Sequence, residues 1–129
     1  MKREVLKVPS YEEIQIGDKA SFTKTISESD VYQFAGITGD FNPVHVNSEF
    51  ANQTIFKERV VHGILTAGFI SAVLGMKLPG SDTIYLSQKL DFKAPVKIGD
   101  TVTAKVEVLE KKDSKKNNSS SHNCQKSIG

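Results

Sequence analysis

Apolar positions along the chain recur in two periods, and the change from one to the other divides it into strand-like and helix-like stretches. Ala20, Phe22 and Ile26 follow the turn-forming Ile16-Gly17-Asp18 at even spacing, interrupted only by Lys24, which predicts a strand with one buried face. Ser27-Glu28-Ser29-Asp30 then has the form of a capping box, with Ser27 as N-cap and Asp30 at N3. Val31, Phe34 and Ala35 follow on one helical face, and that helix should end near Gly36 or Gly39. Asn47-Ser48 can cap a second short helix through Phe50 and Ala51. From His62 to Gly75, HGILTAGFISAVLG is apolar around its whole circumference and rich in small residues, which predicts a helix buried on all sides.

The material to wrap that helix is expected next. Ile84, Leu86, Leu90 and Phe92 alternate with Tyr85, Ser87, Lys89, Asp91 and Lys93, the period of a strand with one buried face; Tyr85 and Gln88 are read as structural. After Pro95 and the Gly99-Asp100 turn, Val102, Ala104, Val106 and Val108 repeat the alternation. Both strands near the ends are introduced by Ile-Gly-Asp, which is a common turn solution and no sign of duplication. From Asp113 the chain holds one aliphatic residue, Ile128, and neither period, so residues 113–129 are expected to be a polar, disordered tail behind a single domain of residues 1–112.

Composition narrows the function classes. A chain of 129 residues, 38% hydrophobic and 25% charged, has the size of one globular domain with one core. Four lysines crowd into Lys111 to Lys116, but no aromatic residue interleaves with them and the net charge is only +2, so no nucleic-acid partner is expected. The longest apolar stretch, Gly63 to Leu78, contains Thr66, Ser71 and Lys77 and is short for a bilayer span, and the N-terminus carries no apolar run of signal-peptide length, so no membrane association is expected. Cys124 is the only cysteine, which excludes an internal disulfide and a thiolate zinc site and suits the cytoplasm.

The candidate chemistry lies in Gly39 to His45, GDFNPVH. Pro43 forbids a continuing helix and holds Asn42 extended, so Asp40 and His45 are expected in a rigid loop that lets both side chains converge on one point. A carboxylate and an imidazole so placed suit the addition of water to a double bond conjugated to a carbonyl, which needs a base, a proton donor and stabilisation of the developing oxyanion. His62-Gly63 opens the long helix, where unpaired N–H groups point outward and a glycine admits an oxygen to the main chain. No cofactor is needed for this chemistry, and the three histidines show no metal-ligand spacing. Taken singly, Asp40 also suits a turn and His45 a packed position; His62 suits a helix entry bonded to backbone as well as a site, and Ser71 a small packing position.

The stretch YQFAGITGDFNPVHVNSEFA from Tyr32 to Ala51, followed by VVHGILTAGFISAVLG and by IYLSQKLDFKAPVKIGDTV, resembles the MaoC-like hot-dog dehydratases and in particular the (R)-specific enoyl-CoA hydratases. The resemblance runs from about Ile14 to Lys112, and its GDxNPxH loop with a following HG helix is highly specific. It implies an α+β hot-dog fold, an antiparallel sheet wrapped around a long central helix, in a homodimer with the active site at the subunit interface. It implies that Asp40 activates water, that His45 positions that water or donates its proton, that the Gly63 N–H receives the thioester oxygen, and that Asn42, His62 and Ser71 support them. The reaction implied is reversible syn hydration of a trans-2-enoyl-CoA to the (R)-3-hydroxyacyl-CoA, without metal. An acyl-carrier-protein dehydratase of the same fold, and a non-catalytic thioester-binding remnant, are the alternatives. Such a domain should end in two further strands where this chain has its polar tail, so exposed sheet edges are expected, with a truncation or a frame shift of the gene near Lys111 to Lys116 as their origin.

Overall fold

The computed structural model describes residues 9–112 and the backbone of 121–128. Strand β1 (Lys19–Thr25) leads into helix α1 (Glu28–Thr38), two short helices α2 (Pro43–Val46) and α3 (Ser48–Asn52), the long helix α4 (Gly63–Met76), strand β2 (Thr101–Lys112) and strand β3 (Ser121–Ile128). The strands form one antiparallel sheet in the order β1-β2-β3, with Phe22 opposite Ala104 and Val106 opposite Lys126.

The two Ile-Gly-Asp turns fix where β1 and β2 meet. In each, the glycine takes a left-handed conformation, φ 91° at Gly17 and 94° at Gly99, which a side chain would strain. In each, the aspartate accepts from a main-chain N–H three residues back, Asp18 from Gln15 at 2.8 Å and Asp100 from Lys97 at 2.9 Å. Gly17 N–H then donates to Val108 and Gly99 N–H to Ile26, each at 2.8 Å, so the turns clamp opposite ends of the β1–β2 ladder.

The capping box is formed as the sequence predicts: Asp30 N–H donates to Ser27 Oγ, Ser27 N–H donates back to the Asp30 carboxylate, and α1 ends on left-handed Gly39. Asp30 also pairs with Lys24 of β1, and these bonds, that of Lys24 first, hold its carboxyl below the ordinary range. Asn47 caps α3 by accepting from Phe50 N–H.

The sheet packs on α4. Ile70, Val73 and Leu74 meet Ala104 and Val106, with Phe22 and Phe69 edge-on at 5.7 Å between ring centroids. Nearer the start of α4, Leu65 and Val61 pack with Ile26, Val31 and Val102.

Three expectations are corrected. First, α4 is buried on one side only: Ile64, Gly68 and Ser71 form an exposed stripe, because the sheet reaches just one face of the helix. Second, residues 84–93 form no strand; Ile84, Leu86 and Phe92 are exposed, and since a strand exists only where a neighbour takes up its N–H and C=O groups, none forms here among the described residues. Third, disorder was expected throughout 113–129, whereas the backbone of 121–128 is β3; 113–120 and 129 lie outside the described residues. An open ladder edge on β2 can pair with any extended chain, because main-chain hydrogen bonds do not require an apolar side-chain pattern.

Candidate active site

The site is assembled from three consecutive turns of chain and the entry to α4. The Gly39 C-cap releases the chain from α1, and Asn42 N–H donates to Asp40 Oδ1 at 3.2 Å, an Asx-type turn that sets the carboxylate. Asn42 then caps α2 by accepting from Val44 N–H at 3.2 Å, with Pro43 at its first position. This corrects the expectation that the loop excludes helix: proline blocks a helix arriving from its N-terminal side but suits the first turn, where its missing N–H has no acceptor anyway. Asn42 remains extended as expected, with ψ 123°, and His45 rides on the single turn that follows.

His45 is oriented by main chain. Its Nδ1 lies 2.7 Å from the Val60 carbonyl, which can only accept, so Nδ1 carries the proton and the neutral ring keeps its lone pair on Nε2. The Val60 carbonyl is itself held: Val60 N–H donates to Val44, Val61 N–H donates to Val96 at 2.7 Å, and Val60 bridges to Lys97. His62, 2% exposed, lies between Phe34 and His45, with ring centroids 4.8 and 3.8 Å away. Its Nε2–H donates to the Asp40 main-chain carbonyl at 2.9 Å and stands 4.0 Å from the Asp40 carboxylate, so the histidine that opens α4 anchors the Asp40 turn. The opposite nitrogen, Nδ1, is buried with no partner among the described residues, a condition that costs about 1–3 kcal/mol.

Asp40, His45 and His62 each present a donor atom within 4.8 Å of the others; the sequence leads one to expect Asp40 and His45 together, and the fold adds His62 to them. The set has the composition of a divalent-cation site, but the two imidazole planes are inclined by only 30° in a stack. Lone pairs lie in the ring planes, so two stacked rings do not converge on an ion at about 2.1 Å, and the His62 Nε2 is committed as a donor. The arrangement suits proton transfer better. Asp40 is half exposed and free to meet a substrate, His45 Nε2 is available to a water, and the lone pairs and carboxylate have the neighbourhood of the α4 N-terminus.

Gly63 is the first residue of α4, and its N–H is among those with no intrahelical acceptor. His62, the N-cap, makes no side-chain cap bond, so the helix entry stays open. Ser71 is not brought to this cluster: it lies two turns along α4, about 12 Å up the axis, on the exposed stripe. Two residues that build the site were missed. Phe34 was read only as part of the core face of α1, and Val60 contributes a carbonyl, which no side-chain pattern reveals.

Comparison with known proteins places the chain in a family. Residues 12–126 match the MaoC like domain family. An (R)-specific enoyl-CoA hydratase of Rhodospirillum rubrum is 61% identical over 98 residues, covering 76% of this chain and 68% of the relative. A 3-hydroxybutyryl-CoA dehydratase of Methylorubrum extorquens is 52% identical over 105 residues, 81% of this chain and 67% of the relative. The solved (R)-hydratase from A. caviae involved in PHA biosynthesis superposes with a TM-score of 0.81 at 38% identity, over 91% of this chain and 87% of that one. The chain thus spans about two thirds of the length of the first two relatives. With the sheet against α4, the entry at His62-Gly63 and these matches, the chain has the hot-dog fold and belongs to the MaoC-like domain family.

Proposed function

We propose that this chain is an (R)-specific enoyl-CoA hydratase, adding water reversibly and syn across a trans-2-enoyl-CoA to give the (R)-3-hydroxyacyl-CoA. The observation that carries the reading is the bracing of Asp40 and His45 around one point by the Val60 carbonyl and His62. A relative named for this activity, 61% identical, and a 3-hydroxybutyryl-CoA dehydratase, 52% identical, support it.

In this mechanism a water accepts orientation from His45 Nε2 and gives a proton to the Asp40 carboxylate as its oxygen bonds to C3 of the enoyl group. Negative charge gathers on the thioester oxygen, where the Gly63 N–H and the positive end of α4 receive it. The proton taken up by the Asp40–His45 pair returns to C2, so H and OH add to the same face and the enzyme is regenerated. Asn42 sets the Asp40 rotamer through its N–H, and His62 holds the Asp40 main chain. Ser71, on the exposed stripe of α4 outside this cluster, would meet the acyl thioester only away from the reacting atoms.

The same exposed stripe, with Ile64 and Met76, and the exposed Ile84 and Leu86 supply an apolar surface suited to a homodimer partner. A cytoplasmic setting with fatty acyl thioesters as substrates completes the reading. The test is hydration of crotonyl-CoA by the purified chain, followed as loss of the conjugated absorbance, beside the same acyl group on acyl carrier protein. Turnover of the CoA thioester is expected, with Asp40→Asn losing about 10²- to 10⁴-fold in kcat. Full activity in that variant removes Asp40 from the mechanism, and preference for the carrier protein reassigns the substrate.

A further inference from the structure

Gly63 is a glycine for a spatial reason. Its backbone needs no left-handed conformation, unlike Gly17, Gly39 and Gly99. At Gly17, Gly36, Gly39, Gly68, Gly75 and Gly99 an added Cβ would meet nothing within 4 Å, whereas at Gly63 it would lie 2.8 Å from Phe92 Cε1, 2.9 Å from Cδ1 and 3.3 Å from Cζ. The ring of Phe92 therefore rests against the bare Cα of the first residue of α4, beside the N–H that heads the helix.

Phe92 has no place in the buried clusters: it is 59% exposed, so one edge of the ring covers Gly63 and the rest is open. Its position is tied to the site by the chain just beyond it. Val96 accepts from Val61 N–H at 2.7 Å and Lys97 bridges to Val60, whose carbonyl sets the His45 tautomer. One short pairing thus places both the imidazole and the aromatic ring relative to the mouth of α4.

We propose that Phe92 is a substrate-contact residue, whose ring forms the wall against which the planar, conjugated enoyl thioester lies as its oxygen reaches the Gly63 N–H. This rests on the hydratase reading above. An aromatic wall suits a flat, conjugated acyl group better than a flexible saturated one, and it excludes water from the flank of the N–H, where a hydrogen bond to a developing oxyanion gains strength. Phe92 then selects for unsaturation next to the thioester, and the absence of a side chain at Gly63 leaves room for it.

The test compares Phe92→Ala and Phe92→Tyr with the unaltered chain on crotonyl-CoA, with thermal melting as the folding control. Phe92→Ala is expected to lower kcat/KM by about tenfold or more, while Phe92→Tyr stays within about twofold. The melting temperature and the shape of the pH–kcat profile should not move, because the ring is mostly exposed and carries no titrating group. Gly63→Ala displaces the ring, so the double variant Gly63→Ala/Phe92→Ala should be no worse than the product of the single losses and better than it if the clash is relieved. If the unaltered chain does not turn over crotonyl-CoA, which would count against the hydratase reading, calorimetric binding still reads the wall: crotonyl-CoA should bind Phe92→Ala about tenfold more weakly, and butyryl-CoA about equally. Kinetic and binding constants of Phe92→Ala within twofold of the unaltered chain, or losses that follow its folded fraction, overturn the proposal.

Discussion

Replacing His62 by leucine separates what this residue does for stability from what it does for the site. The change removes the Nε2–H donated to the Asp40 carbonyl, a bond with a net value of about 0.5–1.5 kcal/mol. It also removes the buried, unpartnered Nδ1, whose desolvation costs about 1–3 kcal/mol, while an apolar side chain of similar size keeps contact with Phe34. The two effects oppose one another, and Asp40 is exposed enough for water to replace the lost donor, so stability should stay within about 1 kcal/mol of the unaltered chain or rise slightly. Activity should not stay: without its anchor the Asp40 turn can drift, and a displacement of about 1 Å at a reacting group costs about 10²-fold. Urea unfolding followed by circular dichroism gives the first quantity, and crotonyl-CoA turnover the second. His62→Gln, which retains a donor, should recover part of the rate. A His62→Leu variant that loses more than about 2 kcal/mol refutes the opposed contributions, and one that keeps its kcat refutes the anchoring role.

Other perturbations follow from the fold. Asp30→Asn weakens the capping box and the pairing with Lys24, and should cost about 1 kcal/mol at neutral pH. The Asp30 carboxyl is depressed below 3.8 in the folded chain, so its contribution is complete above that value and is lost as pH falls through the folded value; the gap between variant and unaltered chain in thermal melts should close in that acid range. Ile70→Ala leaves a cavity between α4 and β2 and should cost about 2–4 kcal/mol in urea unfolding, whereas Ile64→Ala on the exposed stripe should cost under about 1 kcal/mol. Lys111 donates to the carbonyls of Tyr11 and Ile14 at 2.9 and 2.7 Å and lies over the Tyr11 ring, so Lys111→Met should speed amide exchange at residues 11–14 while sparing α4.

The local elements were legible wherever local chemistry decides them. Ser27 and Asp30 specify a capping box in four residues, and Gly39 ends the same helix, because caps depend only on neighbours along the chain. Alternation at Val102, Ala104, Val106 and Val108 predicted β2 and its buried face. Asp40 and His45 were also visible as a pair, since five residues around a proline cannot separate them far.

What needed tertiary structure were the properties that belong to partners. Ile84 to Phe92 has the pattern of a strand and forms none, because hydrophobic alternation specifies a face but not a neighbour to complete the ladder. The residues 121–128 have no such pattern and form β3, because β2 offers an edge and main-chain hydrogen bonds do not read side chains. The tautomer of His45 is set by the carbonyl of Val60, fifteen residues away, and the Asp40 turn by a ring from the start of α4. The sequence by itself determined which groups are candidates for the chemistry and which short segments turn or cap; only the folded chain decided which atoms face them, because a hydrogen-bond partner distant in sequence is chosen by packing.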